Sequence, residues 1–458
     1  MALIYPNPKV FSEVSEYLRK LSQGCEGSLI HSEVTEEVAE DVPIASERVE
    51  MLTSGGIVKI KYSEVKTLET RFRYFIDGVV ETRPIAKIQI KGIEIPVHLV
   101  TCGAGVFERM SDSLVRPTNN VVILTFLALP YSAIADLDSS FRERYRPQGL
   151  RLNDLRPLFD KLPARSRASQ YDAAPWLWLD TAISFSTNRR VLEKEDLVST
   201  GRVRAKARDQ ARVVMRVLEV GTLYLLKSGG YSEGLIAFDG PISPLYIYAK
   251  LVGSDIEGLY ELSNKRVSYN MLKDVVGCVK RIYRVPRDDR FLEIFKFSAD
   301  EHAFVVYPMS RIVTPLRGTE ERDIEGEERV LEDAIDATFS AFTVLRPELR
   351  FLYSESIVSN TSVTARFDIP LPNLVDEKSD WNLKEFVEQL FKDLFPDGFI
   401  NLSRGEGVKL YSILKAVTAE RYPVAPGKAF TELYPVYEAE LYLKAYTKQI
   451  TLSFLSAL

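Results

Sequence analysis

The sequence predicts an α/β protein, a mixed sheet flanked by helices, with a large insertion and extra N- and C-terminal helices. Three observations predict it. Residues 57–100 alternate and are rich in β-branched and aromatic side chains, as in "AKIQIKGIEIPVHLV". A proline-free run at 202–227, "RVRAKARDQARVVMRVLEVGTLYLLK", reads as the clearest helix of the chain. An apolar strand, "GLIAF", follows that helix directly, and strand–helix–strand order suggests a sheet with helices packed on it.

In chain order, "KVFSEVSEYLRKLS" (9–22) has apolar residues at helical spacing, and residues 1–56 read as an N-terminal helical extension. Strands are expected at 71–77, 84–91 and 94–101, joined by short turns into an antiparallel meander. The run "VVILTFLAL" (121–129) is a buried strand or a short core helix, which periodicity cannot separate. Residues 131–200, rich in proline and arginine, read as an insertion within a domain spanning 57–458. After the long helix, "SGG" (228–230) supplies a C-cap. Further strands are expected at 234–238, 275–283, 291–297, 303–307, 349–354 and 362–369. Helices are expected at 327–342, 381–394, 406–419 and 436–447.

Composition narrows the function classes. The 458 residues are 46% hydrophobic and 27% charged, with a net charge of −5, which excludes a simple polycation that coats DNA. Three widely spaced cysteines and three histidines argue against a disulfide framework, a cysteine zinc site and a histidine-rich metal site. The N-terminus lacks a signal-peptide pattern, and the longest apolar run falls far short of the ~20 residues that cross a bilayer. A cytoplasmic protein with no membrane partner is expected.

Three carboxylates stand out. Asp77 in "RYFIDGVV" and Asp239 in "GLIAFDGPIS" each follow apolar strand residues and precede glycine. A charged carboxylate there is costly unless paired, protonated or bound to a metal. Asp-Gly is equally a hairpin dipeptide, so a turn is the alternative at each. If the two strands are neighbours, both acids open at one sheet edge, where ligands of such sheets bind. The third is Glu219. On the long helix it shares a face about 120° wide with Arg204, Arg208, Arg212 and Arg216, opposite Val203, Val214, Leu218 and Leu225. One alternative is a solvated stripe in which Glu219 is the i,i+3 partner of Arg216. The other is a basic face meeting phosphates beside an acidic metal ligand. Hard divalent cations prefer carboxylate oxygens, and arginines hold phosphates bidentately. Residues 141–170 hold eight basic side chains against three acidic ones, and 201–216 hold six against one, an asymmetry that fits a polyanion track. Lys280, in "VVGCVKRIY", ends another apolar strand.

The order "FIDGV", "MRVLEVGTLYLL", "LIAFDGPIS", "VVGCVKRIY", "TARFDIPLP", "ERYPVAPGKAF" resembles the NurA nuclease family over about residues 70–445. The resemblance implies an RNase H-like core and a Mn²⁺- or Mg²⁺-dependent DNA nuclease. It implies action with a HerA-type hexameric ATPase in DNA end processing or phage defence, and a homodimer. On it, Asp77, Glu219 and Asp239 match the family's catalytic, metal-binding acids, and Lys280 its lysine. Two departures stand out. "DGV" and "DGPI" replace Asp-Gly-Ser and Asp-Gly-Ser-Leu, and no histidine follows Tyr422-Pro423, where Glu432 is the first substitute. A catalytically degenerate DNA-binding adaptor subunit of a ring ATPase is the alternative function.

Overall fold

The computed structural model describes residues 3–5, 54–65, 72–110, 115–144, 150, 155, 178–185, 188–229, 233–242, 245, 259–262, 265–279, 288–295, 301–309, 337–344, 364–376, 383–421 and 434–457. Strands β1 (Leu3–Tyr5) and β2 (Gly56–Lys61) are followed by three long ones, β3 (Phe72–Ile90), β4 (Ile93–Arg109) and β5 (Val115–Leu129). Two short helices and β6 (Trp178–Asp180) lead to helix α1 (Thr200–Ser228) and β7 (Leu235–Asp239). A small hairpin, β8 (Leu259–Leu262) and β9 (Lys265–Ser268), precedes β10 (Val275–Val279), β11 (Glu301–Pro308), β12 (Thr338–Val344) and β13 (Thr364–Pro370). Helices α2 (Leu383–Leu394), α3 (Gly405–Arg421) and α4 (Tyr434–Ala457) close the chain.

Apart from that hairpin, the described strands form one mixed sheet in the order β1-β5-β4-β3-β7-β10-β13-β12-β11-β2, with β6 on β5. Strands β3, β4 and β5 form an antiparallel meander, β3 paired with β4 and β4 with β5. After α1, β7 lies parallel to β3, and β10 parallel to β7. The long helix is thus the crossover that a parallel pair requires. Its start is capped by Ser199, which accepts from the Arg202 amide, and its end by Gly229, whose amide reaches Leu225 and Leu226.

The meander differs from expectation. The segments expected at 71–77 and 84–91 form one strand, and Asp77-Gly78 does not turn. The turn falls at Lys91-Gly92, both with positive φ (50° and 80°), the twist a tight hairpin needs. Pro84 is accommodated by a register shift between Pro84 and Ala86. Residues 121–129 are strand. The strand expected at 291–297 is instead a 3-10 helix over Asp289–Phe295, with Phe291 and Ile294 turned inward three apart. The end of the helix expected at 327–342 lies in β12, whose seven residues are all buried. A continuous apolar run carries no periodicity to tell the two apart. The segments 9–22 and 349–354 lie outside the described residues. Of residues 1–56, Leu3–Tyr5 pair with Val122–Leu124 as an edge of the same sheet.

Helices cover both faces of β3–β4. The Cys102 thiol meets the Ala211 carbonyl of α1 at 3.4 Å. On the other face Thr451 of α4 donates to Thr101 at 2.9 Å. No described helix is long and apolar enough to cross a membrane.

His98 of β4 lies buried beneath the start of α1. Burial, then the charges of Arg204 and Arg208, lower its pKa to about 4. The unfolded chain takes up this proton from about pH 6.5. The unfolded state therefore binds more protons between pH 4 and 6.5, and stability rises with pH across that window, by up to about 3 kcal/mol in total. Replacing the ring in His98→Phe should flatten that part of the profile of urea midpoint against pH.

Candidate active site

Strand β3 pairs with β7 through Tyr74↔Ile236, Phe75↔Ala237 and Ile76↔Phe238. One residue further on, Asp77 and Asp239 stand side by side on strands ~4.8 Å apart. The apolar residues before each acid bury the strands to that point. Beyond it β7 stops, because Gly240 adopts φ +93°, a conformation open to glycine. Strand β3 continues to Ile90. Asp77 is 1% exposed, and its Oδ1 accepts from the Gly78 amide at 2.8 Å.

Glu219 is also 1% exposed. Its Oε2 accepts from Arg216 Nη1 at 2.6 Å, and the same nitrogen donates to the Asp239 carbonyl at 2.8 Å. The charge of Glu219 raises the Arg216 pKa most; burial opposes this, and Asp239 and Asp77 add to the rise. One guanidinium therefore feels all three expected carboxylates. Two glycines make room for it. A Cβ at Gly78 would collide with the Glu219 carboxylate, and one at Gly240 would lie 3.0 Å from Arg216 Nη2. Since Gly78 faces α1, strand alternation turns Asp77 toward the other face. Asp77 and Glu219 thus approach the strand end from opposite sides.

A cavity of about 460 Å³ opens beside this point, along the edge of β3 that no other described strand covers where β7 ends. Its floor runs from Gly78 to Arg83. Arg212 and Arg216 of α1 form one wall, and Lys444 and Lys448 of α4 the other.

The expected residues fare differently. Asp77, Glu219, Asp239 and Arg216 come together. Arg204, Arg208 and Arg212 are exposed along α1 and lead toward the site. The solvated stripe is corrected at its C-terminal end: the Arg216–Glu219 pair forms, but with Glu219 buried, because α1 is buried all round from Val217 to Leu226. The turn reading is corrected at Asp77, where β3 runs on; at Asp239 the strand ends, and Gly240 bridges Cys278. Lys280 and Glu432 lie outside the described residues, as does most of 145–177.

Two features were missed. Asp368 of β13 is wholly buried, held by Ser340 Oγ at 2.8 Å and Arg366 Nε at 2.9 Å. Its signal is the one that marked Asp77, an acid inside an apolar strand, "TARFDIP". Lys444 and Lys448 were missed because their four-residue spacing on a helix is ordinary until β3 is known to lie below.

The carboxylates suit a hard divalent cation in kind. Among the described residues, however, no group of three or more His, Cys, Asp or Glu side chains is disposed to hold a metal ion. The cation beside Glu219 and Asp239 is Arg216. No protein-family model and no curated protein matches the chain.

Removing one partner of a buried ion pair leaves the other charge uncompensated. Arg216→Met should therefore cost about 3 kcal/mol in urea denaturation. Adding Glu219→Gln to that variant should recover most of the loss. If the two losses simply add, the pair is not coupled.

Proposed function

We propose that this chain is a metal-dependent DNA nuclease of NurA type on an RNase H-like sheet. The observation that carries the reading is the register of β3 and β7. It sets Asp77 and Asp239 abreast at the mouth of a basic cavity, with Glu219 over the neighbouring glycine. The order β5-β4-β3-β7-β10 agrees with an RNase H-like core: three antiparallel strands, a helix, then two strands parallel to the first.

On this reading Asp77, Glu219 and Asp239 would take up Mn²⁺ or Mg²⁺ only once Arg216 leaves Glu219, since as they stand the three are not disposed to hold an ion. When bound, such a cation lowers the pKa of its water and neutralises charge on the phosphate. The chain's own residues do the positioning. Arg212 and Arg216 offer planar guanidinium forks to phosphate oxygens. Arg216 faces both the carboxylates and the cavity, so it ties the bound strand to the acids. A HerA-type ATPase partner, a dimer and a role in end processing or phage defence rest on the sequence resemblance alone, and a cytoplasmic setting on the N-terminal sequence and the short apolar runs.

A second reading is the non-catalytic DNA-binding adaptor. The observation in its favour is Arg216, already bonded to Glu219 and the Asp239 carbonyl. Cleavage of labelled single- and double-stranded DNA separates the two. The nuclease should cut with Mn²⁺, and Asp77→Asn should abolish cutting while leaving folding and DNA binding nearly intact. Undiminished cutting by that variant removes Asp77 from the site. Inertness of the unaltered protein, with and without a ring ATPase, supports the adaptor.

A further inference from the structure

We propose that the cavity between α1 and α4 is a track for a single DNA strand, whose phosphates are held by Arg83, Lys444 and Lys448 as well as by the arginines of α1. This rests on the DNA-directed reading above and adds to it a second wall, a strandedness and a direction of approach.

The geometry begins with β3. Among the described residues, its edge is open from Asp77 onward because β7 stops at Asp239. An open edge needs cover. Here α1 lies over one face and α4 over the other, and the edge between them becomes the floor of a groove. Gly103 sits on α4's side, where a Cβ would lie 2.8 Å from the Thr447 methyl, so the helix packs close. Phe107 meets Tyr442 edge-on at 5.5 Å, which fixes α4 further along the same strand.

The charges follow from that packing. Glu440, Lys444 and Lys448 recur every four residues and share one stripe of α4. Lys444 is paired with Glu440 at 2.6 Å, and Arg83 Nε with Glu81 at 2.6 Å. The lining therefore carries five cations (Arg83, Arg212, Arg216, Lys444 and Lys448) against two carboxylates, a net of three positive charges on a chain whose total is −5. The paired acids hold their partners extended along the groove, and an arriving phosphate competes for the same N–H groups. Lys444 and Lys448 are one helical turn apart, about 6 Å. That is close to the step between consecutive phosphates of an extended strand.

Size selects the strandedness. The groove is floored by the edge of one β-strand and walled by a helix on each side, a trough for one backbone and not for the two backbones of a duplex, which stand ~12 Å apart across its major groove. The groove ends at Gly78, beside Asp77 and under Glu219. A strand lying in it delivers one phosphate to Arg216, the cation shared by groove and carboxylates.

The test is binding without cleavage. Fluorescence anisotropy of a labelled oligothymidylate in EDTA is followed against salt concentration. Lys444→Ala with Lys448→Ala should weaken binding at low salt and make the salt slope shallower by about 1.4, the loss of two single-strand phosphate contacts. Lys444→Arg with Lys448→Arg should restore both. Lys409→Ala should change neither, since Lys409 on α3 is paired with Asp376 away from the groove. Unchanged affinity and slope in the double alanine variant, with the unaltered protein binding normally, would overturn the track and leave the nuclease reading standing. Failure of the unaltered protein to bind single strands would overturn both. A blunt duplex competing as well as single strands would overturn the strandedness.

Discussion

The ion pair between Arg216 and Glu219 constrains everything around it. A glutamate that is 1% exposed cannot be left alone in a protein interior, because the cost of desolvating it runs to several kcal/mol. Arg216 offsets that cost with a 2.6 Å hydrogen bond. The pair needs space against the sheet, and only positions without a Cβ provide it. Gly78 and Gly240 are those positions, on the two strands that also carry Asp77 and Asp239. The Asp-Gly dipeptides are therefore one device used twice. The glycine admits α1's charges from one face, and the aspartate sets its own charge beside them. A well-packed apolar pair would stabilise such a contact at least as well, so stability alone does not account for three buried or half-buried acids around one guanidinium.

How the charges meet depends on unequal strand lengths. Strand β3 has 19 residues and β7 only five. Equal lengths would bury Asp77 and Asp239 in mid-sheet and close the edge of β3. The positive φ of Gly240 ends β7 at its aspartate. Beyond that point β3 keeps β4 on one side and has no described strand on the other, and α1 and α4 reach that edge from opposite faces. The groove is thus a consequence of where one short strand stops.

Much of this was legible in the sequence. The capped helix, the apolar strand ending at Asp239-Gly240 and the order of helix and strand all survive in the structure, because each is a local signal. Ser199 and Gly229 bound α1 through their own hydrogen bonds. What failed needed partners distant in the chain. Asp77-Gly78 looks like a hairpin because the turn propensity of Asp-Gly is local, whereas β3 is held straight through it by β4, with Asp77 opposite Gly105 and Gly78 opposite Ala104. Residues 338–342 looked helical because a run buried on both faces has no period. A solvated Glu219 was one of two alternatives because the helical wheel ranks it with arginines, while the sheet beneath buries the helix all round near its C-terminal half. Lys444 and Lys448 carried no signal, since their meaning lies in β3, more than three hundred residues earlier.

Arg216 is the residue on which hydrolase and adaptor diverge. Its guanidinium has planar donors in a fork and can face two acceptors at once. At present one nitrogen serves both the Glu219 carboxylate and the Asp239 carbonyl, while the side chain also lines the groove. A phosphate at the end of the groove presents the same class of acceptor as Glu219, with more negative charge nearby along the strand. Drawing Arg216 toward it would expose the Glu219 oxygens in a pocket where Asp239 and Asp77 already add negative potential. That is the condition under which a hard cation binds, so strand binding and cation binding would favour each other through a shared side chain, a reciprocal coupling. If Arg216 instead keeps Glu219 when a strand arrives, the carboxylates stay neutralised by the chain itself, and on the adaptor reading the same groove would grip DNA without cutting it.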